Sequence, residues 1–162
     1  KRVGVITISG GLGVITADAC QMQGLDLAKL SDKTIDSFRK ASPPFIEVGN
    51  PYDIWPSVTR IGTDAAFKVA VESLFDDENV DAIIAGFQGT EGYELKDLDF
   101  ISAASRKHPE KTIIAYATSE WSIVEKLREK LEKLEIPVYY SPEDAVEVLS
   151  IMYRYSRIRA SK

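Results

Sequence analysis

Arg2-Val-Gly-Val-Ile-Thr-Ile-Ser-Gly-Gly-Leu-Gly-Val-Ile-Thr-Ala-Asp-Ala19 decides the fold of this chain. Its β-branched opening favours a strand, Gly10, Gly11 and Gly13 interrupt it, and the residues after them return to helical spacing. The order strand, glycine turn, helix is the first unit of an α/β protein. Glycine permits close approach of a ligand to the backbone. The first turn of the following helix presents unpaired N–H groups at the positive end of its dipole. An anion is welcome at such a place. A parallel strand feeding a helix also needs glycine simply to turn sharply, so both readings stand on this motif alone.

Outward from this unit, apolar strands alternate with amphipathic helices, which predicts a parallel sheet covered on both faces. The strands expected are Val3 to Ile8, Leu25 to Lys29, Val80 to Phe87, Thr112 to Ala117 and Pro137 to Tyr140. A helix follows Ser31, and another follows Thr63, with Ala66, Phe67, Ala70, Val71, Leu74 and Phe75 on one face. Val124, Leu127, Leu131 and Leu134 form an apolar stripe among Glu and Lys, too short for a coiled coil. Ser141-Pro142-Glu143 starts a last helix, with Val148, Leu149 and Met152 assigned to its buried side.

The interval from Ala41 to Arg60 breaks the alternation. It holds Pro43-Pro44, an extended Phe45-Ile-Glu-Val and then Gly49-Asn-Pro-Tyr-Asp-Ile-Trp-Pro. If Phe45 to Val48 returns the chain along the sheet, Asn50 and Asp53 reach the carboxyl rim beside Gly10 to Gly13, where α/β sheets bind ligands. Taken alone, Asn50-Pro and Asp53 read as loop structure. A third rim contributor is the loop from Gly86 to Gly92, whose composition equally suits a plain surface loop.

The 162 residues fit one domain, 1–155, with 156–162 as a basic tail or linker. Lys1-Arg2 opens directly onto a strand, as in a piece of a longer chain. A hydrophobic content of 44% and a net charge of -5 describe a soluble globular protein and argue against an extended nucleic-acid surface or a membrane span. The lone Cys20 fits a reducing, cytoplasmic setting and falls on the buried side of the first helix.

Several enzymatic readings lack their parts. Gly11-x-Gly13-x-x-Thr16 approximates a dinucleotide fingerprint, but Asp26 comes too early for the ribose-binding acid. No Ser/Thr-rich flavin-phosphate loop and no acidic pair follows the first strand. His108 reads as a solvated loop residue, and one histidine with one cysteine cannot build a zinc site or a Ser-His-Asp triad. Trp55 and Trp121 are read as packing residues rather than stacking platforms.

Val5 to Ala19, Leu27-Ala-Lys-Leu-Ser, Pro43-Pro-Phe, Val48-Gly-Asn-Pro-Tyr-Asp, Asn79-Val-Asp-Ala-Ile-Ile and Ile136-Pro-Val-Tyr-Tyr-Ser-Pro-Glu-Asp-Ala occur in an order that resembles the NDP-forming acyl-CoA synthetases. That group includes ADP-forming acetyl-CoA synthetase and is similar to succinyl-CoA synthetase. The part resembled is the last flavodoxin-like domain of the CoA-ligase portion. The resemblance implies a three-layer fold with a parallel sheet of about five strands. It implies an enzyme that interconverts acid, CoA and ATP with acyl-CoA, ADP and phosphate through an acyl phosphate and a phosphohistidine. CoA, ATP/ADP and Mg belong to the full enzyme, none of them bound by this domain alone. The partners implied are CoA-binding, phosphohistidine and ATP-grasp domains.

The resemblance places the phosphoryl group on the backbone N–H groups of Gly10, Gly11, Leu12 and Gly13, with Ser9, Asn50 and Asp53 shaping the pocket. Leu12 stands where many relatives have proline. Nothing here matches the histidine-bearing segment, so no catalytic residue and no metal ligand is assigned. A docking module with the same fold, and more distantly a nucleotide-binding oxidoreductase domain, are the rival functions.

Overall fold

The computed structural model describes residues 1–89 and 95–160. In chain order the elements are β1 (Arg2–Thr7), α1 (Gly10–Met22), β2 (Asp26–Leu27), α2 (Asp32–Ala41), β3 (Tyr52–Asp53), α3 (Trp55–Ile61) and α4 (Thr63–Asp76). They continue with β4 (Ala82–Gln88), α5 (Asp99–Lys107), β5 (Thr112–Thr118), α6 (Trp121–Glu132), β6 (Val138–Tyr139) and α7 (Pro142–Ala160).

All strand pairs are parallel, in the order β2-β1-β4-β5-β6, and β3 also pairs with β1. Alternation along the central strands sends side chains to two cores. Val3, Val5, Ile84, Ile114 and Tyr116 meet Ala19 and Cys20 of α1 and Ala145, Val146 and Leu149 of α7 on one face. Ile6, Ile83, Ala85, Ile113 and Ala115 meet α2 to α6 on the other. The result is a three-layer, flavodoxin-like α/β domain. From β1 the chain moves to β2, and from β4 it moves to β5 on the opposite side, so the order reverses between β1 and β4.

β2 and β3 share one edge of β1. Arg2 and Val3 pair with Asp26 and Leu27, while Ile6 and Thr7 pair with Tyr52 and Asp53. Asn50 fills the gap between them. Its Oδ1 accepts from the Val5 amide at 2.9 Å, and its Nδ2 donates to the carbonyls of Val3 at 2.8 Å and Ala28 at 3.0 Å. The Asn50-Pro51 peptide bond is cis. Tyr52 then stacks on Phe38 at 3.9 Å, and its hydroxyl joins Ser42 and Ser57 in a buried hydrogen-bonded trio. These contacts fasten the long interval between α2 and α4 onto the sheet.

Several elements differ from expectation. The returning strand is Tyr52–Asp53, whereas Phe45 is 82% exposed in a turn. The Pro43-Pro44 pair there cannot donate to a ladder. The helix after Thr63 begins at Thr63 itself, with Gly62 as its uncapped start, although its buried face is the one expected. Leu149 is buried on α7 as expected, but Met152 is exposed, and Ala145, Val146 and Ser150 complete the buried side. The basic end is helical through Ala160, beyond the apolar periodicity that fades at Tyr155.

Candidate functional site

The glycine turn sits at the carboxyl end of β1, next to the reversal of strand order. Ser9 is the N-cap of α1, in extended conformation, and its side chain caps nothing. Its own amide donates to Thr7 Oγ1 at 3.1 Å, and Thr7 Oγ1 returns a bond to the Ser9 carbonyl at 3.1 Å. Tyr116 OH reaches Thr7 Oγ1 from β5 at 3.4 Å, and Thr16 Oγ1 donates to the Leu12 carbonyl at 2.7 Å. The floor of the turn is therefore tied by side chains from β1, β5 and α1.

The Gly13 amide closes the first helical turn on the Ser9 carbonyl at 2.9 Å. It is therefore spent inside the helix and differs from its expected role as an anion donor. What Gly13 supplies is proximity: a β-carbon there would lie 3.1 Å from Thr7 Cγ2 and 3.3 Å from Pro51 Cβ. Among the described residues, the amides of Gly10, Gly11 and Leu12 meet no acceptor. The first turn of α1 also carries no acidic residue, whereas those of α2, α4, α5 and α7 do. Three free donors at a positive helix end are the groups an anion would meet there.

Asp53 arrives where the sequence placed it. A β-carbon on Gly10 would stand 3.3 Å from Asp53 Oδ2, while Oδ1 accepts the Trp55 amide at 3.0 Å and starts α3. One carboxylate thus stands beside the first glycine, which the α1 dipole favours and an incoming anion opposes. Asn50 is different. All its side-chain polarity is used on sheet backbone groups, so it supports the rim from below and does not face the turn.

The remaining candidates lie elsewhere. His108 ends α5, only 20% exposed in its side chain, with Nε2 2.9 Å from Asp76 Oδ1 and its ring against Phe75. It is a packed residue hydrogen-bonded to Asp76 rather than a solvated loop residue, at the opposite end of the sheet from Gly10. Trp121 is 65% exposed and stacks on Tyr140, and Trp55 is 36% exposed, so neither is a core residue. Cys20 is buried, and burial pushes its thiol up to about 11. Of the Gly86 to Gly92 loop, Gly86 to Gln88 lie in β4, and 90–92 fall outside the described residues. No cluster of potential metal ligands occurs among the described residues, and no helix there is long and apolar enough to cross a membrane.

A family model described as the Ligase-CoA domain matches residues 3–161. The chain belongs to that family. The chain is 33% identical over 159 residues to "Acetate--CoA ligase [ADP-forming] II" of Archaeoglobus fulgidus, covering 98% of this chain and 23% of that protein. It is 36% identical over 152 residues to "Acetate--CoA ligase [ADP-forming] II subunit alpha" of Pyrococcus furiosus, covering 89% and 31%. A solved structure of the Ca. Korarchaeum cryptofilum dinucleotide forming acetyl-coenzyme A synthetase 1, in complex with phosphate and ADP, superposes with a TM-score of 0.79 at 25% identity. It covers 98% of this chain and 34% of that one. This member of the Ligase-CoA family thus spans about a quarter to a third of the length of these relatives.

Proposed function

We propose that this Ligase-CoA domain works within an ADP-forming acyl-CoA synthetase, where the start of α1 receives a phosphoryl group carried on a histidine of a neighbouring domain. The observation that carries this reading is the set of three unpartnered amides at Gly10, Gly11 and Leu12. The relatives named as ADP-forming acetate–CoA ligases, and the relative solved with phosphate and ADP, support it.

The chemistry asked of the domain is electrostatic. A phosphoryl group in transfer spreads negative charge over its oxygens, and fixed N–H donors stabilise that charge without reorganising. The string Ser9, Thr7, Tyr116 and Thr16 holds the donors in place. No nucleophile or base is assigned to this chain. CoA, ATP or ADP and Mg fall to the neighbouring domains, and the whole reaction is acid, CoA and ATP against acyl-CoA, ADP and phosphate.

The test is Gly11→Glu in the complete synthetase. Space is open there, since the nearest group to a β-carbon is Ser9 Oγ at 3.8 Å, and an acid in the first turn favours the helix. Folding should be unchanged by circular dichroism, while the added carboxylate competes for the amides. Acyl-CoA synthesis should fall by about a hundredfold, the loss typical of removing oxyanion donors. Undiminished activity would remove the turn from the phosphoryl path.

A further inference from the structure

The last half of α7 outlasts the body it packs on. Ala145, Val146, Leu149 and Ser150 are buried, and Ser150 Oγ donates to the carbonyl of Gln23 at 3.2 Å, where α1 has just ended. From Ile151 to Arg159 the helix continues with no buried residue. A helix that met only water there would be polar. Instead, Ile151, Tyr155 and Ile158 are 49%, 61% and 58% exposed, and they extend the line of half-buried Val148. The intervals of three, four and three residues are those of an a/d seam. At about 100° per residue, this stripe lies on the side of the helix opposite Ala145, Val146, Leu149 and Ser150. Apolar side chains exposed singly need no explanation, but four in register on the outward side mark an association face.

The charges flanking the stripe decide what covers it. Glu143, Asp144 and Glu147 stand on the first half of α7, and Arg154, Arg157 and Arg159 on the second, all exposed. A second α7 laid parallel would set acid against acid and base against base. Laid antiparallel with a two-fold axis at Ile151, it sets Ile151 on Ile151, Val148 on Tyr155 and Glu147 beside Arg154, the last two contacts occurring twice.

We propose that the outer face of α7 is self-complementary and that its occupant is the α7 of a second copy of this chain, paired antiparallel about Ile151. One stripe and one charge order on a single helix supply both halves of the interface. The face lies at the end of α1 remote from Gly10, and the proposal does not rest on the phosphoryl reading.

Sedimentation velocity over a concentration series tests it, with monomer converting to dimer and to nothing larger. Ile151→Glu changes an exposed position, so it should keep the circular dichroism of the folded chain and abolish the dimer. Glu147→Arg alone and Arg154→Glu alone should each weaken it about tenfold, because each turns two attractive contacts repulsive. Mixed one to one, these two variants should recover the dimer, since each then faces a partner of opposite charge. Both substitutions on one chain should recover it as well. Ile151→Cys should cross-link to its own copy on mild oxidation, with Cys20 buried out of reach. A chain that stays monomeric, a dimer indifferent to Ile151→Glu, or mixed variants no tighter than either alone would overturn the proposal. So would a complete synthetase in which Ile151→Cys links no two copies, because a neighbouring domain then covers this face.

Discussion

Asn50 replaces a piece of β-ladder with one side-chain amide. It accepts from Val5 and donates to Val3 and Ala28, where neither β2 nor β3 reaches. Asn50→Ala leaves the Val5 amide without its acceptor in a half-buried setting, and should cost about 2 kcal/mol in urea unfolding. The Asn-Pro pair was legible as a turn, but its use on the sheet was not, because the acceptor and donors come from residues more than twenty positions away. Asp53 was legible as a rim residue, and its carboxylate beside Gly10 sets a second expectation. At low salt, Asp53→Asn should tighten inorganic phosphate by about three- to tenfold through lost repulsion, and the gain should fade as salt rises. Equal affinities by calorimetry would place the anion away from this carboxylate.

At the scale of elements, local signals carried α2 and α7 well. Ser31 Oγ accepts the Thr34 amide, and Ser141 Oγ accepts the Asp144 amide, as capping residues should. The stripe of Val124, Leu127, Leu131 and Leu134 packs against the sheet as its spacing predicts. β3 was missed because two residues have no periodicity to read. Their strand character comes from pairing with Ile6 and Thr7. The loop after α4 shows a further long-range dependence: buried Asp77 accepts the amides of Ser31 at 2.8 Å and Asn79 at 2.9 Å. Burial alone would raise its pKa, yet these hydrogen bonds outweigh it and hold the pKa below its ordinary value. A depressed folded value means stability that is complete above the unfolded range and lost as pH falls through the folded one. Asp77→Asn should therefore lower stability by about 2 kcal/mol at neutral pH and reduce the slope of stability against pH in the acid range. Parallel curves for the two proteins would refute the linkage.

For the molecule as a whole, the two ends of the sheet do different work. The amino end is closed by charge pairs: Arg2 clasps Asp81 at 2.8 Å and holds its carboxyl well below the usual carboxylate range. The carboxyl end is left open, with free amides on one face and an apolar cleft on the other. Fold class and the position of the glycine turn were readable because they depend on local pattern. Which amides remain free was not, since Gly13 looks like its neighbours in sequence and differs only through its bond to Ser9. Phosphoryl binding at the start of α1 is tested by titrating the 15N-labelled chain with phosphoramidate, which carries a nitrogen–phosphorus bond, at constant ionic strength. Saturable shifts are expected at the amides of Gly10, Gly11 and Leu12, with Gly13 moving least. No saturation at these three, or the same response to chloride, would contradict it.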